Sequence, residues 1–139
     1  MADYIGVDVG GTYTGMLCAH PPFQIDGNFA ASAAVAEMLI QSHQGCIVPL
    51  PALPESWDNG SFSGLRARGG FEVDAAWEKG RLTSVKIKSH SGEDCVLVLP
   101  ERVPVYKNGS LVEAREEKAD HGVRLRFSTE KSGIYNVKF

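Results

Sequence analysis

Apolar and polar positions follow three different rhythms along this chain. From Tyr4 to Val9 they alternate among β-branched residues, which predicts one short strand ended by Gly10-Gly11. From about Asn28 to His43 the residues are helix formers, with apolar side chains at Phe29, Ala33, Ala36, Met38, Leu39 and Ile40. These are too many for one stripe, so the predicted helix needs cover on most of its sides. Asn28 stands where an N-cap belongs and Gly45 where a helix stops. The stretch QGCIVPLPALPESWDNG, with prolines at 49, 51 and 54, can neither continue a helix nor form a central strand. It is expected to be an extended connector lying against other protein.

From Ser61 onward the period becomes two. FSGLRAR, FEVDAAWEKG, RLTSVKIKS, CVLVLP, VPVYKNG, VRLRFS and IYNVKF are strand candidates separated by Gly, Asn, Asp and Ser. Lys79-Gly80 and Asn108-Gly109 predict tight hairpin turns, and Thr129 to Ser132 reads as a further hairpin turn. Such spacing predicts an antiparallel β-sandwich of about 80 residues. Alternation puts Phe71, Val73, Val85, Ile87, Val96, Leu125 and Phe127 in its core. The expected fold class is therefore mainly β with one buried helix.

Composition narrows the function classes. The chain has 139 residues, 43% apolar and 22% charged, which allows one ordinary domain, or a small domain plus part of another. A net charge of −3 gives no reason to expect nucleic acid or an anionic membrane as partner. The longest apolar run, about 12 residues, is short of the roughly 20 that cross a bilayer. The start MADYIGVDVGG has no signal-peptide pattern, so as written the chain is expected to stay in the cytoplasm. Cys18, Cys46 and Cys95 are odd in number and widely spaced, and are read as small buried hydrophobes.

Candidate chemistry concentrates in HPPFQIDGN, residues 20–28. It sets Gln24, Asp26 and Asn28 at the mouth of the helix, where unpaired N–H groups and a positive potential orient a carboxylate. The β-region offers less. Trp57, Phe71, Trp77 and Tyr106 are candidates for a sugar-stacking platform, although period-two aromatics are more often core. Arg66 and Arg68 are placed on one strand face, toward a neighbouring domain or solvent. Glu72 and Asp74 lie side by side on a solvated strand face, whereas a glycosidase pair must oppose across a substrate.

The motifs HPPFQIDGNF, LPALP and GLRARGGFEVD, in this order and spacing, resemble the carboxyl-terminal part of glycoside hydrolase family 95, the inverting α-L-fucosidases. The resemblance is clear over roughly residues 11 to 100. It implies the end of an (α/α)6 catalytic barrel for residues 11–58, Pro-rich connector included, and a closing β-sandwich for 59–139. It also implies hydrolysis of α-L-fucosyl linkages in glycans, with no metal or cofactor. In that family a Glu is the acid, and a pair of Asn side chains, made more basic by an Asp, holds the attacking water. Asp26 matches that Asp, and His20 and Gln24 are candidates to line the sugar pocket. The Glu and Asn segments have no match in these 139 residues, so the chain alone is expected to be inactive.

The opening IGVDVGGTYTG also resembles the first phosphate motif of sugar kinases and actin-like ATPases, but no second phosphate loop follows. Residues 1–10 are accordingly left unassigned. A non-catalytic β-module that packs or binds carbohydrate is the alternative function, and a nucleotide-binding fragment the more remote one. Without barrel partners, the helix is expected to self-associate through Met38, Leu39 and Ile40.

Overall fold

The computed structural model describes residues 25–139, which divide into two compact units between Glu37 and Met38. Mainly β with a single helix is the observed class, but the helix is not the buried one expected, its described side chains being half-buried or exposed. Helix α1 runs Ile25–Leu39 and so begins before Asn28 and ends before His43. Asn28 is thus inside the first turn rather than capping it, and its carbonyl accepts a bond from the Ser32 hydroxyl at 3.2 Å. The early end has a local cause. The N–H of Leu50 donates to the carbonyl of Leu39 (2.8 Å) and that of Ala52 to Met38 (3.3 Å), so the connector satisfies carbonyls that a helix end leaves open. Gly45, at φ 73°, serves the turn that follows instead of stopping the helix.

Strand β1 (Ile40–Gln41) leaves the helix directly and pairs antiparallel with β2 (Val48–Pro49). Ile40 and Ile47 are buried in the core of the β-domain. The expected self-association surface is corrected on this point, because Ile40 is 6% exposed and already covered. Ile47 also bridges Leu97 in parallel, accepting from the Val98 N–H and donating to the Val96 carbonyl. The Pro-rich connector thereby shields the free edge of a strand, consistent with the expectation that it lies against protein.

The remaining strands are β3 (Gly60–Ala67), β4 (Phe71–Glu78), β5 (Arg81–Ser89), β6 (Cys95–Leu99), β7 (Val105–Lys107), β8 (Ser110–Val112), β9 (Arg115–Lys118), β10 (Val123–Phe127) and β11 (Ile134–Lys138). They form a six-stranded sheet in the order β3-β4-β5-β11-β7-β8 and a three-stranded sheet in the order β6-β10-β9. One apolar cluster drawn from both sheets joins them as a sandwich. All seven core residues read from alternation are buried, from Val73 at 0% to Val96 at 8%. Lys79-Gly80 and Asn108-Gly109 adopt the paired positive φ of hairpin turns.

The segment from Thr129 to Ser132 is not a hairpin turn, since β10 and β11 belong to different sheets. It is a crossover held by a buried polar knot. The Thr129 hydroxyl bonds to the Ser89 hydroxyl (2.7 Å) and to the Glu93 carbonyl (2.6 Å), and Ser89 is fully buried. Bonds of this kind fix where the chain passes between sheets, because unpaired hydroxyls there would be costly.

Candidate functional site

Asp26 lies exposed in the first turn of α1, where the helix dipole favours a carboxylate. His20 and Gln24 lie outside the described residues. Asn28 shares the first turn with Asp26, so the helix carries two of the polar groups picked from the motif within a few residues. No described helix is long and apolar enough to cross a membrane.

The aromatic candidates separate sharply. Phe71 and Trp77 are core residues at 3% and 5% exposure, and the Trp77 ring N–H donates to the Trp57 carbonyl at 2.8 Å. Trp57 is half-buried, which leaves Tyr106 as the exposed member of the four. A platform of four rings is therefore not what these residues make.

The carboxylates of β4 are tied to cations. Glu72 accepts from His90 Nε2 at 3.0 Å and lies 3.4 Å from an Arg66 guanidinium nitrogen. Asp74 is ion-paired with Lys86 and accepts the Gly64 N–H at 2.9 Å. The Lys86 hydrogen bond holds the Asp74 carboxyl below its ordinary range, helped by the Gly64 N–H and opposed by partial burial. Lys86 is raised in turn by Asp74. Glu72 and Asp74 are thus neighbours on one strand face, each committed to a cation, as expected for groups that are not an acid and base pair. Arg68 lies just past the end of β3, and its N–H donates to the Ser42 hydroxyl. Burial pushes the Cys95 thiol up to about 12, which leaves it an inert core residue.

Sequence reasoning did not foresee the partners His90, Lys86 and Gly64. The signal was present in β5, where Leu82 and Val85 are both buried yet three residues apart. A period-two strand permits that only with a bulge, and the register indeed shifts between Ala76 and Trp77, which brings Lys86 opposite Asp74.

The described residues thus comprise one helix with a carboxylate in its first turn, followed by a small antiparallel sandwich. The glycoside hydrolase family 95 C-terminal domain matches residues 41–137, and the catalytic domain of the same family matches residues 3–39. The chain belongs to glycoside hydrolase family 95. The change from one match to the next falls at the junction of α1 and β1, and the catalytic match begins at residue 3. Among curated relatives, "Alpha-L-fucosidase 2" of Arabidopsis thaliana is 57% identical over 74 residues, 52% of this chain. "Probable alpha-fucosidase A" of Aspergillus niger is 37% identical over 73 residues, 45% of this chain. Its namesake in Aspergillus oryzae is 39% identical over 66 residues, 40% of this chain. The matched stretch spans 9% of the length of each relative.

Proposed function

We propose that the chain works as the carboxyl-terminal part of an α-L-fucosidase-like glycoside hydrolase acting on fucosylated glycans. The observation that carries this reading is the order of the two family matches, catalytic domain then C-terminal domain, meeting where α1 passes into the sandwich. Asp26 is the residue through which this chain contributes to chemistry. In that role it accepts hydrogen bonds from amide side chains that hold the attacking water, raising their basicity while a Glu elsewhere protonates the leaving oxygen. His20 and Gln24 line the fucose pocket in the same reading. The segment up to Leu39 supplies the end of the barrel, and the connector and strands from Ile40 onward supply the closing β-domain.

One carboxylate cannot serve as acid, base and water holder together, so the 139 residues by themselves should not turn over substrate. The test has two arms, both read on a nitrophenyl α-L-fucoside. The isolated chain should release no nitrophenol above a heat-treated control. Grafted in place of the matching region of the Arabidopsis relative, it should support turnover that falls at least about a hundredfold in Asp26→Ala, the usual scale for loss of a general-base function. Turnover by the isolated chain, or a graft indifferent to Asp26→Ala, would overturn the reading.

A further inference from the structure

The outer face of the six-stranded sheet is hollowed into a cleft of about 390 Å³. Its lining includes Ser61, Asp74, Ala76, Ser84, Lys86 and Asn136. The hollow follows from residue size and strand geometry. Ala76 and Ser84, Cα partners across β4 and β5, present only small side chains where the sheet face is otherwise built up. Beside them β3 bulges between Phe62 and Leu65, and the Gly64 N–H donates to the Asp74 carboxylate. A bulge bends its strand and raises the local twist, so β3 forms a wall instead of continuing a flat surface.

Three lining residues, Asp74, Lys86 and Asn136, belong to a registered row that continues beyond the cleft to Tyr106. Asp74 pairs with Lys86, Lys86 with Asn136, and Asn136 with Tyr106. The residues flanking this row, Val73, Ala75, Val85, Ile87, Val105 and Val137, are all buried, which puts the row itself on the outer face. Three strand spacings separate Asp74 from Tyr106, roughly 14 Å. Over that distance the face offers a carboxylate acceptor, an ammonium donor, an amide that both donates and accepts, and the exposed ring of Tyr106. Asp74 and Lys86 largely neutralise one another, and Lys138 adds a further donor to the lining of the cleft. Fixed donors and acceptors leading to one flat aromatic face match a ligand that alternates hydroxyl groups with C–H surfaces.

We infer that this cleft, together with Tyr106, binds a short oligosaccharide, with one sugar ring on Tyr106 and the hydroxyls of the next on Asn136, Lys86 and Asp74. The inference goes beyond the proposed hydrolysis and uses none of its residues.

The test is titration of the isotopically labelled 139-residue chain with two neutral trisaccharides, fucosyl-α-1,2-lactose and maltotriose, followed by backbone amide shifts. At least one should give saturable shifts centred on Lys86, Tyr106 and Asn136. Tyr106→Ala and Asn136→Ala should each weaken binding roughly tenfold, the scale of one lost stacking or paired polar contact. Tyr106→Phe keeps the ring and should retain binding, and Asp26→Ala should leave it unchanged. Both alanine positions face outward, and the amide spectrum of each variant reports directly whether the sandwich is intact. The inference is overturned by no saturable shift with either sugar up to about 20 mM, a weak limit for specific sites. It is equally overturned by shifts centred elsewhere, or by binding indifferent to both alanine variants. Loss of binding in Asp26→Ala would also count against it. Because hydrolysis is read through Asp26 and binding through Tyr106, failure of one leaves the other standing.

Discussion

Helix α1 and the β-domain use apolar residues in opposite ways. In the sandwich, Phe71, Val73, Val85 and Ile87 are all at or below 3% exposure. In the helix, Phe29 is 68% and Ile25 is 50% exposed. Both stretches are rich in apolar residues, yet among the described residues only the β-domain finds the partners that its pattern demands. The difference teaches where a structural unit closes. Period-two strands meet partners from the same 80 or so residues, whereas an all-round apolar helix requires neighbours on several sides. This agrees with the junction between the two family matches at the end of α1.

The largest effect that can break this comparison is a core deletion. Phe71→Ala should destabilise the β-domain by about 3–5 kcal/mol, and Phe29→Ala by well under ~1 kcal/mol, because only the first leaves a cavity. Urea unfolding followed by fluorescence of the buried Trp77 measures both. Equal losses would mean that Phe29 is packed in solution and that the contrast is wrong.

A second test separates backbone strain from close packing within the β-domain. Gly122 and Gly109 share a φ of 81°, but a Cβ on Gly122 would lie 2.0 Å from the Leu99 carbonyl oxygen while one on Gly109 would meet nothing within 4 Å. Gly109→Ala should therefore cost only the strain of the left-handed conformation, about 1–2 kcal/mol. Gly122→Ala carries the same strain and must also move backbone at the end of β6, so its urea midpoint should fall clearly further. Similar midpoints for the two variants would show that this contact relaxes freely.

Much of this arrangement was legible in the sequence because two-residue alternation and turn chemistry are local signals. The seven strand candidates, the two hairpin turns and the seven core residues all followed from them. The short strands β8 and β9 were not seen, since SLV and REEK are too short or too polar to show alternation, and their pairing is set by neighbours. The helix end was misplaced because Met38 to Gln41 continues a helical composition. What stops it is the return of Leu50 and Ala52, a non-local event. Asp26 is singled out by its motif alone and its role is the proposal made above, while the Asp74–Lys86–Asn136–Tyr106 row depends on register across four strands, which composition does not carry.

Exposed apolar side chains on α1 lead to a third prediction. Ile25 and Phe29, rather than Met38, Leu39 and Ile40, are the residues through which copies of this chain should associate, because burying each large side chain is worth about 1.5–3 kcal/mol. Sedimentation at tens of micromolar should show a concentration-dependent species for the unaltered chain, and a monomer for Phe29→Glu. A monomer in both cases would remove self-association through the helix.

The smallest effect concerns the Asp74–Lys86 pair, and its sign is fixed by the direction of each shift. Asp74 is held below its ordinary value of 3.8 by the Lys86 hydrogen bond, so the folded state releases this proton more readily than the unfolded chain. Its contribution to stability is therefore complete above pH 3.8 and disappears as the pH falls through the lower folded value. Lys86 is raised above its ordinary 10.5 by the same partner, so its contribution is complete below pH 10.5 and disappears as the pH rises through the higher folded value. Both side chains are partly open to water, Lys86 by half and Asp74 by a quarter, and screening keeps the total small. Asp74→Asn should lower the urea midpoint slightly and by a constant amount between about pH 5 and 9, with the gap to the parent chain closing on acidification. A gap that persists undiminished well below pH 3.8 would show that Asp74 stabilises the bulge of β3 through the Gly64 N–H, by geometry and not by charge.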